Sequence, residues 1–369
     1  MSSADEIPPP LDRLASYDGT LDDSVPDEAA LAERLARPDD SLVRILSDLP
    51  GDIIVLGAGG KMGPSLAIMA RRALDDAGYD GTKRRVIAVS RFGGPEGHDA
   101  VLHTLREAGV ETISADLTDR HSVAALPDAA NVIYMAGQKF GTRDQPTLTW
   151  AMNCYLPALC AERYAGTRAV VFSTGNVYPL MPVRGSGASE STPTAPLGEY
   201  AMSCLGRERI WEYLAARGGT RLAVIRLNYA NALTYGVLTD IARRIWVGEA
   251  VDVTMGAVNL IWQGDANLLS LSALARASES PFVVNVTGTE TLSVRALAHE
   301  LGRRLDRAPV IAGREAPDAL LSDTTLMRET LGVPRVPIGT LLDWTALWVR
   351  RGMPLLGRPT SFEVRNGLF

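Results

Sequence analysis

The feature that most constrains this chain is a regular alternation. Short, uniformly apolar, β-rich runs are separated by helical stretches. The runs are IIVLG from Ile53, VIAVS from Val86, ETIS from Glu111, NVIYMAG from Asn131, AVVFS from Ala169 and LAVIRL from Leu222. Apolar residues at consecutive positions suit strands covered on both faces, which is what a parallel sheet needs. Strand–helix alternation then predicts an α/β fold, a Rossmann-type doubly wound parallel sheet. After about residue 228 the pattern loosens into helices, a short strand at FVVNV from Phe282, and turns. A smaller C-terminal lobe built from insertions reads this way.

Composition removes several function classes. Hydrophobic residues are 46% of 369, enough for a large core. The formal charge is −6 without a basic block, which argues against nucleic acid or an anionic membrane as main partner. No apolar run reaches the roughly 18 residues of a membrane span. The opening MSSADEIPPP is polar and acidic, unlike a secretory signal. Cys154, Cys160 and Cys204 cannot build a disulfide framework, so a reducing, cytoplasmic setting is expected. His98, His103, His121 and His299 show no metal-ligand spacing, and no metal site is expected. Residues 1–27 read as a mobile arm. Two short helices follow, from Glu28 and from near Ser41, the second capped by Ser41 with help from Asp39 and Asp40. Both would pad the edge of the main domain.

The first strand runs into Gly57-Ala58-Gly59-Gly60-Lys61-Met62-Gly63, and a helix follows. A glycine-rich turn at this place lets backbone N–H groups approach a pyrophosphate, with the helix N-terminus adding its dipole. The alternative is a tight turn without a ligand. The second strand ends in Ser90-Arg91. An acid there would bond the adenosine ribose and repel a 2′-phosphate; a hydroxyl and a guanidinium favour NADP over NAD. The bland reading is that Arg91 stacks on adenine or faces solvent. Asp116-Leu117 after the third strand is placed to meet the adenine amino group. Ala136-Gly137 ends the fourth strand, where a missing side chain lets the cofactor lie close. The expected division is an arm with short helices over residues 1–50 and an NAD(P)-binding domain over 51–228. A mainly substrate-binding lobe over 229–350, with some segments returning to the main core, and a tail over 351–369 complete it.

The fifth strand ends Phe172-Ser173-Thr174-Gly175-Asn176-Val177-Tyr178. Glu190-Ser191-Thr192-Pro193, Pro196 and Tyr200 follow, with a late stretch from Val284 to Val294. Together with the glycine turn, the Asp-Leu pair and the Ala-Gly strand end, this ordered set resembles the extended short-chain dehydrogenase/reductase family, the NAD-dependent epimerase/dehydratase group. The resemblance runs from about Ile53 to Arg350. It implies that Thr174 bonds the reacting oxygen, that Tyr200 moves the proton, and that Asn153 is a helix asparagine near the active site. It matches Lys139 to a lysine near the nicotinamide ribose, with a solvated loop lysine as the equal reading. It also implies a homodimer.

Two positions depart from the family pattern. Cys204 stands where Tyr-x-x-x-Lys carries its lysine. Without that cation the phenol stays protonated and is a poorer base at neutral pH. Cys204 is then a thiol acid/base, a redox-sensitive group, or a small helix residue. Val258 stands where the family often has an arginine on a nucleotide-sugar diphosphate. Arg226, Arg243 and Arg244 are substitutes only if they are neither tied into the fold nor a solvated face. Asn228-Tyr229 would line the pocket. The glycine-rich Gly185–Ser189 reads as a flexible flap over the substrate, the tail from Gly357 as a surface strand or arm. Trp344 and Trp348 read as a core-facing pair; Met152, Met181 and Met202 as core filler or pocket wall. Two functions follow. One is an NAD(P)-dependent epimerase/dehydratase-like or reductase enzyme acting on a carbonyl/alcohol centre of a sugar or sugar-like small molecule. The other is a cofactor-binding sensor or scaffold that has lost turnover.

Overall fold

The structure, a computed structural model, describes residues 25–81, 83–92, 98–142 and 144–368. Residues 1–24, most of the expected arm, lie outside that description. Seven strands form the central sheet: β1 (Ile53–Leu56), β2 (Val86–Ser90), β3 (Glu111–Ser114), β4 (Asn131–Tyr134), β5 (Arg168–Thr174), β6 (Arg221–Leu227) and β7 (Phe282–Val286). Every pairing within it is parallel, in the order β7-β6-β5-β4-β1-β2-β3. The order reverses between β1 and β4, so a crevice opens beyond their carboxyl ends. The FVVNV run is therefore no lobe strand; it extends the main sheet beside β6.

Burial explains the strand composition. Ile53 and Val55 belong to one core cluster and Ile54 and Leu56 to another, on the opposite face. Helices supply both covers: α2 (Asp40–Asp48) and α3 (Gly63–Asp76) on the first, and α4 (Gly198–Gly218) with Leu156–Arg163 on the second. Asp39, not Ser41, caps α2: its extended backbone brings its carboxylate to accept from Leu42 N at 2.8 Å. The preceding helix, α1 (Glu28–Leu35), turns Leu31 and Leu35 to a third cluster instead of the sheet. That cluster is the lobe core, around α5 (Val237–Val247), α6 (Val294–Leu305) and α7 (Ile338–Arg350). Trp344 and Trp348 are buried in it, as their spacing on one face predicts. Among the described residues no helix is long and apolar enough to cross a membrane.

One buried network ties α4 to the sheet. Glu208 accepts from Arg226 at 3.1 Å through Nε and at 2.8 Å through Nη2. Ser173 Oγ donates to the same carboxylate. Arg226 Nη1 donates to the Tyr178 hydroxyl at 2.8 Å, and that hydroxyl donates to Asn285 Oδ1 at 2.9 Å. Neither charge touches water to any extent, so each depends on the other. Glu208→Ala should therefore cost about 3–5 kcal/mol, read as a lowered denaturant midpoint in urea unfolding. A loss below about 1 kcal/mol, the scale of a surface pair, would contradict this account.

Candidate functional site

The glycine turn is built by sterics. Gly57 sits at φ +92, and a Cβ there would lie 2.5 Å from Ala136 N. A Cβ on Gly63 would lie 2.4 Å from Ala58 O. Gly60 is different: only Gly57 O comes within 4 Å, at 3.6 Å, so its open side faces the crevice. No side chain caps α3 at Met62. Gly63 N donates to Gly60 O at 3.2 Å and Pro64 has no N–H, so an anion here would depend on N–H groups of the turn before the helix. Ala136 closes against Gly57, while β4 ends at Tyr134 and the backbone peels away after Met135 N bonds Leu56 O at 2.8 Å. A dinucleotide fits this cradle, since Gly57 and Gly63 allow the tight turn and Gly60 leaves it open to the cavity.

The crevice continues as a cavity of about 410 Å³ between sheet and lobe. Of the residues expected at the site, Gly57, Gly60, Lys61, Met62, Gly63, Gly137, Lys139, Thr174 and Tyr200 line it. Asn228 and Tyr229 do so as well, whereas Met152, Met181 and Met202 do not. Ser90, Arg91, Asp116 and Leu117 lie outside its lining, around the outer ends of β2 and β3. Ser90 Oγ would lie 2.6 Å from a Cβ on Gly59, and Asp116 accepts from Thr118 N at 2.9 Å. Gly185–Ser189 is no free flap. Ala188 is fully buried, donates to Leu321 O at 2.8 Å and accepts from Asn285 Nδ2 at 2.9 Å.

Thr174 ends β5 and Tyr200 lies in the first turn of α4. The Tyr200 hydroxyl hydrogen-bonds to the Thr174 and Cys204 side chains. Burial pushes this phenol well above its usual 10, and the Arg207 charge and the Thr174 bond only partly oppose that. Cys204 follows one turn along, fully buried and outside the cavity lining, its thiol pushed up chiefly by burial. Arg207 follows one turn further and does line the cavity. Its guanidinium donates to Phe172 O at 2.9 Å and to Asn153 Oδ1 at 2.7 Å. Among the described residues no carboxylate lies within 4.0 Å of it, and its Nε has no partner. A Cβ on Gly137 would lie 2.3 Å from Arg207 Nη2. Arg207 is not marked by any motif; its one signal in the sequence is a cation two helical turns after Tyr200, on the same face.

Asn153 is wholly engaged. Its Oδ1 also accepts from Gln138 N at 2.8 Å, while Nδ2 donates to Gln138 O at 3.1 Å and to Ser203 Oγ at 2.9 Å. It sits in a π-helical turn, Ala151–Tyr155, and holds the Gly137-Gln138 strand end without lining the cavity. Two lysines enter from opposite walls. Lys61 Nζ donates to Ala230 O at 3.0 Å and Tyr235 O at 3.3 Å, and Lys139 Nζ donates to the Tyr235 hydroxyl at 3.2 Å. Burial first and the Lys139 charge second, opposed by Asp240, push Lys61 down to about 7. Burial lowers Lys139 too. Arg226 is absorbed by Glu208, Arg243 pairs with Glu249 at the surface, and Arg244 pairs with Glu363 at 2.6 Å.

The tail is part of the site and not a surface strand or arm. Thr360 N and Oγ1 donate to Asp240 Oδ2 at 2.7 and 2.5 Å. Phe362 is 1% exposed within the lobe core, and Leu356, Thr360, Ser361 and Phe362 line the cavity. An aromatic that inserts between lobe elements outweighs the polarity of its neighbours.

Residues 53–255 match the NAD dependent epimerase/dehydratase family. The chain belongs to that family. Among solved structures, MoeE5 in complex with UDP-glucose and NAD is 23% identical with a TM-score of 0.62, covering 82% of this chain and 99% of its own. The UDP-glucose 4-epimerase of Thermotoga maritima, solved with UDP-glucose, is 19% identical at a TM-score of 0.66, covering 82% and 99%. A UDP-glucuronic acid 4-epimerase from Bacillus cereus, in complex with NAD, is 16% identical at 0.65, covering 81% and 99%. At these identities the likeness is one of fold. A curated relative, the probable cation-transporting ATPase I of Mycobacterium leprae, is 26% identical over 226 residues. The match takes in 54% of this chain and 13% of that protein's length.

The thiol geometry makes a direct prediction. At about pH 8, iodoacetamide should leave Cys204 and Cys160 of the native protein unmodified, because both are buried as neutral thiols. Peptide mass mapping before and after denaturation reads this, and fast native alkylation of Cys204 would show an accessible thiolate instead.

Proposed function

We propose that the chain is an NAD(P)-dependent oxidoreductase of the epimerase/dehydratase or reductase type. It acts on a carbonyl/alcohol centre of a sugar or sugar-like molecule. The observation that carries this reading is the Thr174–Tyr200 hydroxyl pair at one end of a cavity whose other end is the Gly57–Gly63 cradle. Backbone N–H groups of that turn would hold the cofactor pyrophosphate, and Gly137 would leave room for the nicotinamide end. When bound, the nicotinamide supplies the two-electron oxidant or reductant.

The rest is this chain's own proton chemistry. Thr174 Oγ1 orients the reacting oxygen, and Tyr200 holds the proton that oxygen gains or loses. A phenol raised above its usual range is fully protonated at neutral pH, so donation is its easier direction. Arg207 supplies the fixed positive charge that Cys204 does not. It stands one turn beyond the usual lysine position and favours the phenolate when Tyr200 gives up its proton. Val258 is fully buried in the lobe core and offers no donor to a nucleotide-sugar diphosphate, so a substrate without that group is favoured.

NADP is favoured over NAD because Ser90 and exposed Arg91 replace an acid at the end of β2. A homodimer is favoured by large exposed apolar side chains on two packed helical segments: Leu148, Trp150 and Tyr155 on one, Met202 and Tyr213 on α4. Two variants test the reading. Tyr200→Phe should keep NAD(P)H binding, read by nucleotide fluorescence, and lose about 10²-fold or more of turnover in a screen of keto sugars and polyols. Arg91→Ala should weaken NADPH about tenfold and leave NADH unchanged. Cofactor binding by a wild type that turns over no carbonyl substrate would favour the sensor reading instead.

A further inference from the structure

Three cations gather round one aromatic pair at the lobe side of the cavity. Tyr235 and Phe140 meet edge to face, with ring centroids 6.1 Å apart at 86°. Lys61 Nζ lies 4.5 Å from the Tyr235 ring and Lys139 Nζ 5.6 Å from it. Arg358, at the rim, lies 5.0 Å from the Phe140 ring. The two lysines start from opposite places, one inside the glycine turn and one after β4, yet both reach across to the same lobe tyrosine. Their other partners are neutral oxygens: two backbone carbonyls for Lys61 and a phenol for Lys139.

The charge count does not close within the protein. Among the described residues no carboxylate lies within 4.0 Å of either ammonium group. The acid nearest in effect is Asp240, whose Oδ2 is already committed to Thr360 N and Oγ1. Lys61 is half-buried and Lys139 is exposed, and both line the cavity. Two ammonium groups on one ring repel; loss of the Lys61 proton or a bound anion relieves this, and only the anion leaves both charged. Aromatic faces ease this cost but carry no counter-charge.

We propose that Lys61 and Lys139 form a receptor for a phosphate group carried by the substrate, with Arg358 drawing it in at the rim. The inference rests on the oxidoreductase reading and adds to it. The ligand would be a small phosphorylated sugar-like molecule, its phosphate against Tyr235 and its carbonyl or alcohol reaching Thr174 and Tyr200. An oxyanion between two ammonium groups makes charge-assisted hydrogen bonds to both, stronger than the carbonyl and phenol bonds that hold them otherwise.

Inorganic phosphate is the probe. Calorimetric titration into the full chain, with and without saturating NADPH, should show one phosphate per chain in both conditions. Lys61→Met and Lys139→Met should each weaken it by about tenfold or more, the scale of one lost charge-assisted bond. Methionine keeps the stem and removes a desolvated charge, so Lys61→Met should melt at or above the wild-type temperature, which separates loss of binding from loss of fold. Lys139→Arg should retain binding. Absence of phosphate binding, or binding that both methionine variants leave intact, would overturn the proposal. Mutual exclusion of phosphate and NADPH would also overturn it, because the cations would then belong to the cofactor pyrophosphate. Failure to bind NADPH or NADH at all would strike the oxidoreductase reading alone, and the phosphate titration would still judge the receptor.

Discussion

The site depends on one buried ion pair. Glu208 and Arg226 hold α4 against β5 and β6, and everything chemical on that helix inherits its position from them. Tyr200, Cys204 and Arg207 occupy successive turns of the face that meets the sheet. Ser173 donates into the Glu208 carboxylate, and its neighbour Thr174 meets Tyr200, so the pair sets the register of both hydroxyls at once. Arg226 also reaches Tyr178 and, through it, Asn285 on β7, which in turn holds the segment around Ala188. A single charge pair thus fixes the catalytic helix, the end of the central strand and the loop expected to move. Such pairs add little net stability but tolerate few alternative arrangements, since either charge alone in that core is costly.

The electrostatics of the cavity follow from what surrounds that anchor. A phenol that cannot ionise easily faces a guanidinium without a carboxylate. Two ammonium groups converge on Tyr235 from opposite walls of the same cavity. The interior of the cleft is therefore short of negative charge, although the whole chain is acidic at −6. Local and global charge point in opposite directions, and the local one governs what enters.

Much of the fold was legible because it rests on local pattern. Buried strands leave consecutive apolar letters, and Gly57 and Gly63 are required by contacts that no side chain survives. Thr174, at the end of β5, and Tyr200, in the first turn of α4, stood out only through the family resemblance. What was not legible depends on distance in the chain. FVVNV shows the same composition in a lobe or at a sheet edge; its pairing with β6 is decided by tertiary contact. Arg207 looks like any helix-face arginine until Gly137 and Asn153 are brought beneath it. Lys61 was read for its backbone, as part of a phosphate-binding turn, while its side chain leaves that turn for Tyr235. The polar letters from Gly357 suggested a surface segment, but one phenylalanine and one threonine bonded to Asp240 place it in the cavity wall. Asp39 and Ser41 were both plausible caps, and only backbone geometry separates them.

The tail joins the two walls of the cleft a second time, beyond the reach of Lys61 and Lys139 to Tyr235. At Thr360 and Glu363 it is fastened to α5 of the lobe, through Asp240 and Arg244. At Gly367 it lies against Leu197 and Gly198, where α4 begins; a Cβ on Gly198 would lie 2.1 Å from Gly367 O. The segment from Thr360 to Gly367 is thus a tether of eight residues, pinned on both banks of the cleft. Lobe and sheet cannot swing apart as rigid bodies without first unfastening one bank. The lobe bank is fastened twice, by Thr360 on Asp240 and by Glu363 on Arg244, so the tail acts as a buckle across the cleft and not as a hinge.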